Sequence, residues 1–327
     1  MKKILTGVLA TGLCLALAGT TMAQQYPARP INVIVGFAAG STTDTIARYY
    51  TQALADKLSQ PLIVQNRPGA SQLAAITELK GAAADGHNIM MITGSASSQG
   101  PGVRDDLPYN TLEDFVPIAM VATAQGVFVA NKDLPFNDIA GLVAYAKEHP
   151  GELNYGSSGL GSASNLQIEL LKSITGIDMV HIPFAGSGEI MNAIIAGEID
   201  IGLGPIQGAA SLVNSRQLKA IGVTGSKSVD GMPDAQPLSS SEVPGLSVLD
   251  PYTYYLIIAP AGTPQPVVDQ LHAAFNATSE KEDTVTAMHR MGFEPLVISS
   301  EEAVKRVTAD IEVWRDFREQ TGFTWGK

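Results

Sequence analysis

The sequence predicts an α/β protein built as two lobes. Short apolar runs alternate with amphipathic segments in the order strand, helix, strand, which is typical of mostly parallel sheets covered by helices. One plan occurs twice: an apolar run, a turn rich in glycine and serine, and a helix, first after residue 30 and again after residue 152. The chain has 327 residues, which exceeds a usual single core and therefore favours two lobes.

The first 23 residues have the pattern of a secretory signal. Lys2 and Lys3 precede an apolar run over residues 4–18, and a site of small residues ends at Ala23. We therefore expect cleavage near Ala23 and a periplasmic protein whose fold begins near Gln24. The single cysteine, Cys14, lies inside this segment, so the mature chain is expected to contain no disulfide.

The first lobe is predicted from residues 24–124, completed by residues 253–327. Its elements in chain order are a strand at 31–35, a helix with Ile46, Tyr50, Leu54 and Leu58 on one face, a strand from 62, a helix at 73–79, a strand at 89–92, and, after the second lobe, a strand at 254–258, a helix from Thr263 and a terminal helix. Ser299 and Glu302 have capping-box spacing at the start of that terminal helix.

The second lobe is predicted from residues 125–252. Its elements in chain order are a helix at 139–146, a strand at 153–155, a helix at 166–174, a strand at 179–182, a helix at 190–195 and strands at 199–201 and 220–223. The chain would then cross between the lobes near residues 124 and 252, and these two crossovers would form a hinge.

The repeated turns are the candidate binding site. They cover residues 36–44 and 156–165, and each would place converging backbone N–H groups at a helix N-terminus, which favours anions. Neither turn contains Lys or Arg, so backbone and hydroxyl groups would hold the anion, which suits a carboxylate that must later be released. The candidate ligand-binding residues are Phe37, Ala39, Gly40, Ser41, Thr42, Thr43, Asp44, Ser157, Ser158, Gly159, Leu160, Gly161, Ser162, Asn165 and Phe184.

Several of these residues have a second interpretation. Glycine and serine are common in ordinary strand-to-helix turns, although two turns at matching positions favour a site. Asp44 fits a helix cap better than a ligand contact, because an acid would repel a carboxylate. Phe37 and Phe184 fit either the core or a pocket at the carboxyl ends of the strands.

Composition and motifs exclude other functions. The formal charge of −11, which becomes more negative when residues 1–23 are removed, argues against nucleic acid or anionic lipid as partner. After the signal, no apolar run is long enough to enter a membrane. The histidines lack metal-ligand spacing, and residues 156–161 lack the spacing of a hydrolase nucleophile turn or a dinucleotide loop. We expect no catalysis, metal or cofactor, and an exported hydrolase is the disfavoured alternative.

Several motifs in order carry a family resemblance that covers essentially the whole mature chain. They are Pro30-Ile31, the run from Phe37 to Asp44, Gln65-Asn66-Arg67-Pro68-Gly69-Ala70, Ala84-Asp85-Gly86, the run from Leu153 to Gly161, and Ile258-Ala259-Pro260-Ala261-Gly262-Thr263-Pro264. In these motifs the chain resembles the Bug family, the extracytoplasmic solute receptors of tripartite tricarboxylate transporters. The resemblance implies a type II-like periplasmic binding protein fold, which closes on an organic acid and delivers it to membrane permease subunits. It also implies that the two turns hold one ligand carboxylate. We expect the protein to be a monomer.

The chain departs from the family pattern at three places. Ala38-Ala39-Gly40-Ser41 stands where members commonly have two prolines and two glycines, Asn165 where a histidine is frequent, and Phe184-Ala185 where a Tyr-Lys pair is common. These departures imply a less polar distal pocket, so citrate or an amino acid is not assumed, and a dicarboxylate or an aromatic carboxylate both remain open. A ligand-loaded sensor that signals to a membrane kinase is the alternative to transport.

Overall fold

Two β-sheets organise the chain in the computed structural model, which describes residues 26–184, 186–224, 232, 235–249 and 252–323. The strands are β1 (Ile31–Val35), β2 (Leu62–Asn66), β3 (Asn88–Thr93), β4 (Phe115–Ala124), β5 (Gly126–Asn131), β6 (Asn154–Ser157), β7 (Val180–Pro183), β8 (Ile201–Pro205), β9 (Leu218–Val223), β10 (Thr253–Pro260) and β11 (Phe293–Pro295). The helices are α1 (Thr42–Leu58), α2 (Leu73–Lys80), α3 (Gly100–Val103), α4 (Thr111–Asp114), α5 (Ile139–Glu148), α6 (Ala163–Thr175), α7 (Ser187–Ala196), α8 (Ile206–Asn214), α9 (Gln265–Ser279), α10 (Glu282–Met291) and α11 (Ser300–Thr321). The predicted signal segment lies outside the described residues.

The strand order confirms an α/β fold with two sheets. One sheet has the order β11-β4-β10-β3-β1-β2, and the other has the order β7-β6-β8-β5-β9. We call them the six-stranded and the five-stranded sheet. The chain passes from the first to the second at Gln125, between β4 and β5, and it returns to the first sheet with β10.

The sheets are mixed: most strands of each sheet run in one direction, as predicted, while β10 and β11 in the first and β5 in the second run against the others. Strand β1 is parallel to β2 and β3, and β6 is parallel to β7 and β8. Strand β10 is antiparallel to β3 and β4, and β5 is antiparallel to β8 and β9. Helical crossovers make successive strands parallel. Strands β4, β5 and β10 instead connect one sheet with the other, so that rule does not fix their direction.

The packing of β1 explains why its sequence is apolar apart from Asn32. Val33 packs on one side of the sheet in a cluster with Ile46 of α1, and Ile34 packs on the other side with Ile76 of α2. All four are at most 2% exposed. A strand covered by helices on both faces has no polar face, and each such buried aliphatic side chain contributes about 1.5–3 kcal/mol.

Helix α11 packs against the six-stranded sheet. It begins with the predicted capping box, in which the Ser299 hydroxyl accepts the Glu302 N–H and the Glu302 carboxylate accepts the Ser299 N–H. Val307 packs in the apolar layer of the six-stranded sheet, whereas Trp314 belongs to the main cluster of the five-stranded sheet. The terminal helix therefore contributes to the cores of both sheets.

Candidate functional site

One cavity of about 360 Å³ brings the two repeated turns together. Its wall is Phe37, Ser41, Thr42, Thr43, Ser71, Gln72, Leu73, Thr93, Ser95, Ala96, Gly100, Arg104, Leu107, Tyr109, Ser158, Gly161, Ser162, Ala163, Ser187, Pro205, Tyr252, Thr253 and Tyr255. The first turn follows β1 and leads into α1, and the second follows β6 and leads into α6. Both turns therefore lie at the carboxyl ends of parallel strands, where α/β proteins place their ligands.

The first turn is held by a cap that involves Asp44. Ser41 is the N-cap of α1, and its hydroxyl accepts the Asp44 N–H at 3.3 Å. The Ser41 N–H donates to the Ala38 carbonyl at 3.1 Å. The Asp44 carboxylate accepts the N–H of Gly40 at 2.8 Å, one residue before the position that a standard capping box uses. Gly40 has φ +80°, a conformation that favours glycine.

The second turn repeats this hydrogen-bond pattern. The hydroxyl of Ser162, the N-cap of α6, accepts the Asn165 N–H at 3.3 Å, and the Ser162 N–H donates to the Gly159 carbonyl at 3.1 Å. The Asn165 side-chain oxygen accepts the N–H of Gly161 at 2.8 Å, and Gly161 has φ +74°. Asn165 thus plays the part in the second turn that Asp44 plays in the first.

The helix N-termini leave unpaired N–H groups on residues that line the cavity. Within the part of the chain that the structure describes, no protein acceptor takes the backbone N–H of Thr42, Thr43 or Ala163. All three residues line the cavity, as do the hydroxyl-bearing Ser41 and Ser162. Unpaired N–H groups and the positive end of a helix dipole bind anions, so the arrangement can hold one from both sides.

Asp44 and Asn165 lie behind the turns rather than on the cavity wall. Besides the Gly40 N–H, the Asp44 carboxylate accepts Asn66 Nδ2 at 2.8 Å and Arg48 Nε at 2.9 Å. Burial alone would raise the pKa of this carboxyl, but the hydrogen bonds from Arg48, Gly40 and Asn66 outweigh it and lower the pKa. Asp44 is therefore a charged helix cap.

The structure places the other candidates in two groups. Those that line the cavity are Phe37, Ser41, Thr42, Thr43, Ser158, Gly161 and Ser162. Those that do not line it are Ala39, Gly40, Asp44, Ser157, Gly159, Leu160, Asn165 and Phe184. Leu160 is 41% exposed, and Phe184 packs against the apolar cluster around Ile190. A ligand contact for any of these residues stays a prediction.

Several lining residues were missed by the sequence analysis. Ser71 and Gln72 have φ angles of +52° and +75°, which is strained for residues other than glycine and is frequent at binding sites. Gln72 is buried, and its side-chain amide donates to the Thr93 hydroxyl at 2.7 Å. The position of this segment after β2 could have indicated it, since β2 ends at the same edge of the sheet as β1. Arg104 carries no comparable signal.

A serine–histidine pair beside the second turn is not arranged for catalysis. The Ser157 hydroxyl lies 2.6 Å from His181 Nε2 and donates to the Gly159 carbonyl at 3.1 Å. Ser157 is fully buried and absent from the cavity wall, so the pair does not face the cavity. Burial lowers the pKa of His181. Across the described ranges no group of three His, Cys, Asp or Glu could hold a metal, and none of the helices found there is long and apolar enough to cross a membrane.

Comparison with known proteins gives the family. Residues 46–322 match the family described as the tripartite tricarboxylate transporter family receptor. A UPF0065 protein of Bordetella pertussis is 32% identical over 299 residues, which are 91% of this chain and 91% of that protein.

Solved structures agree with this family. The periplasmic binding protein BugD superposes with a TM-score of 0.76 at 27% identity, covering 91% of this chain and 99% of BugD. A Rhodopseudomonas palustris protein solved with adipate has a TM-score of 0.78 at 26% identity over 91% of this chain and 99% of that one. MatC from the same organism, solved with malate, has a TM-score of 0.75 at 28% identity, covering 89% of this chain and 99% of MatC. These relatives are receptors and not enzymes, and they confirm both the predicted periplasmic binding protein fold and the Bug resemblance. The chain is a member of the tripartite tricarboxylate transporter receptor family.

Proposed function

We propose that the protein is a periplasmic receptor that captures a small organic carboxylate between its two repeated turns and delivers it to the permease of a tripartite transporter. The observation that carries this proposal is the pair of helix N-termini, one from each sheet, that lie on the wall of one cavity and whose turns contain no Lys or Arg. Relatives of known structure hold adipate and malate, which are both carboxylates.

The carboxylate accepts the free N–H groups of Thr42, Thr43 and Ala163 and the hydroxyls of Ser41 and Ser162. Hydrogen bonds to a charged group contribute about 1.5–3 kcal/mol each, so a few of them suffice for micromolar binding. Because the turns contain no lysine or arginine, release of the anion does not require an ion pair with either turn to break.

Ligand capture couples to closure of two lobes, residues 24–124 with 253–327 and residues 125–252. One carboxylate satisfies both helix N-termini only when the lobes are together, so the ligand binds the closed form better than the open form. That difference in affinity shifts the population to the closed form, which the permease distinguishes from the empty receptor.

The binding step is tested with the purified protein. A thermal-shift screen over organic acids identifies ligands, because saturation at a hundred times Kd adds about 2.7 kcal/mol of stability. Calorimetry then compares each acid with its methyl ester, and we expect the ester of the held carboxyl group to bind at least tenfold more weakly. An ester that binds as tightly as its acid would contradict the site.

The delivery step is tested in cells. Deletion of the gene is expected to abolish uptake of the radiolabelled acid that binds in vitro, and the wild-type gene is expected to restore it. Undiminished uptake in the deletion strain, for an acid that the purified receptor binds, would exclude transport as the role.

A further inference from the structure

Arg104 is the one charged side chain among the described residues that line the ligand cavity. It follows the short helix α3 and has a side-chain exposure of 23%. Neither turn supplies a charge to the cavity, since Asp44 lies behind its turn. A carboxylate on the ligand therefore has one oppositely charged partner within this wall, the guanidinium of Arg104.

Arg104 stands at the side of the cavity that adjoins a second one. Arg104, Leu107 and Tyr109 line both the ligand cavity and a neighbouring cavity of about 390 Å³. No residue of the two repeated turns lines the second cavity. A ligand that keeps one carboxylate at the turns can therefore reach Arg104 only with a second group.

Arg104 is already paired in the geometry that a carboxylate ligand offers. Its Nε and Nη2 lie 2.8 Å and 3.0 Å from the two carboxylate oxygens of Asp106, a bidentate arrangement. The Asp106 side chain is 76% exposed, so it returns to water at little cost when another carboxylate takes its place. Exchange of one carboxylate for the other preserves the hydrogen bonds of the guanidinium.

The same wall disfavours a ligand with an ammonium group. None of the lining residues in the described part of the chain is Asp or Glu, so a bound ammonium would meet no acidic partner and would lie near Arg104. Leu73, Ala96 and Leu107 add apolar surface that suits a hydrocarbon spacer. Both features favour a plain diacid over an amino acid.

We propose that Arg104 binds the second carboxylate of the ligand and thereby selects α,ω-dicarboxylates without an amino group. The proposal rests on the proposed function, because it assumes that the first carboxylate lies at the turns. In the bound state Arg104 exchanges Asp106 for the ligand.

Calorimetry with matched ligands tests the selection. The series from succinate to pimelate is compared with the monocarboxylates of the same chain length, and glutarate is compared with glutamate. For the wild type we expect the best diacid to bind at least tenfold more tightly than its monoacid, and glutarate to bind more tightly than glutamate.

Variants assign the effect to Arg104. Arg104→Gln is expected to weaken the best diacid at least tenfold while leaving the monoacid within about twofold, and Arg104→Lys should be intermediate because it keeps the charge without the bidentate geometry. Asp106→Asn removes the competing carboxylate and should tighten diacid binding by up to about fivefold. Arg29→Gln, which breaks an exposed ion pair with Asp85 away from the cavity, is the control and should change nothing.

The outcomes separate this inference from the proposed function. Equal binding of diacids and monoacids by the wild type, or an equal loss of both in Arg104→Gln, would overturn the role of Arg104 while the receptor function stands. Failure of every acid to bind the wild type would overturn the proposed function itself. Thermal unfolding of each variant without ligand shows whether it is folded. If Arg104→Gln is unfolded, the Arg104→Lys and Asp106→Asn results decide whether Arg104 binds the second carboxylate.

Discussion

Replacement of Asp44 tests whether a buried charge shapes the first turn. The residue is 2% exposed, and its carboxylate accepts the Gly40 N–H and Asn66 Nδ2, both at 2.8 Å. The ion pair with Arg48 adds little, because the Arg48 side chain is 53% exposed. Asp44→Ala removes the acceptor of both hydrogen bonds.

The expected cost follows from these two bonds. A hydrogen bond to a charged group contributes about 1.5–3 kcal/mol, but Gly40 is exposed and Asn66 is half-buried, so water replaces part of each bond. We therefore expect Asp44→Ala to lower the free energy of unfolding by about 2 kcal/mol at neutral pH. Asp44→Asn should cost about half as much, because its amide oxygen can accept the Gly40 N–H as Asn165 accepts that of Gly161.

The pH dependence gives an independent check. The Asp44 pKa is lower in the folded protein than in the unfolded chain, so the carboxylate stabilises the fold above the unfolded value of about 3.9. This stabilisation is lost as the pH falls through the lower folded pKa. The difference in unfolding free energy between the wild type and Asp44→Asn should therefore be present at pH 7 and shrink below about pH 4.

Urea denaturation of the wild type and both variants at pH 7 and pH 3 measures these quantities. A loss below about 0.5 kcal/mol for Asp44→Ala at pH 7, the size of an ordinary surface substitution, would refute the capping argument. So would a difference for Asp44→Asn that is the same at both pH values.

Three further substitutions test how the turns are supported, with urea denaturation for stability and calorimetry for binding. Gly36→Ala would place a Cβ 2.7 Å from the Gln72 Cβ, so we expect the free energy of unfolding to fall by about 1–3 kcal/mol and ligand binding to weaken. Unchanged stability would mean that the Gln72 side chain moves away without cost. Gly40→Ala has open space around the new Cβ and should cost only the strain of φ +80°, about 1–2 kcal/mol, and a larger loss would point to a clash that the structure lacks. Tyr155→Phe leaves the Asn165 side-chain amide without its hydroxyl acceptor, so the free energy of unfolding should fall by about 1–3 kcal/mol and the affinity for the ligand should fall too. Ligand affinity equal to that of the wild type would show that the second turn does not need this support.

The repeated turns could be predicted from the sequence because their physics is local. A glycine that adopts positive φ, a serine N-cap and an Asp or Asn three residues later lie within five positions, and each residue type has a strong preference there. The structure shows this pattern at Gly40-Ser41 with Asp44 and at Gly161-Ser162 with Asn165.

The mixed sheets could not be predicted in the same way. Strands β4 and β5 form one nearly continuous apolar stretch, and sequence periodicity does not show that Gln125 divides it between two sheets. Pro117 also weakens the prediction of a strand. In the structure its partner is Ile258, beside a register shift in β10, where a ladder tolerates proline. Arg104 was missed for a similar reason, since only the tertiary fold brings α3 to the cavity.

The charges near the two turns are balanced by different ion pairs. In the first turn the acid is in the cap itself, and Arg48 pairs with Asp44. In the second the cap is the neutral Asn165, which donates to the Tyr155 hydroxyl; that hydroxyl donates to Glu169, the partner of Lys172. Each cap is thus tied to a balanced ion pair, and neither turn presents a net charge to the anion. The turns then act through N–H groups and helix dipoles, whose effect does not depend on the rest of the ligand. Discrimination among acids has to come from the other lining residues, of which Arg104 alone carries a charge within the described wall.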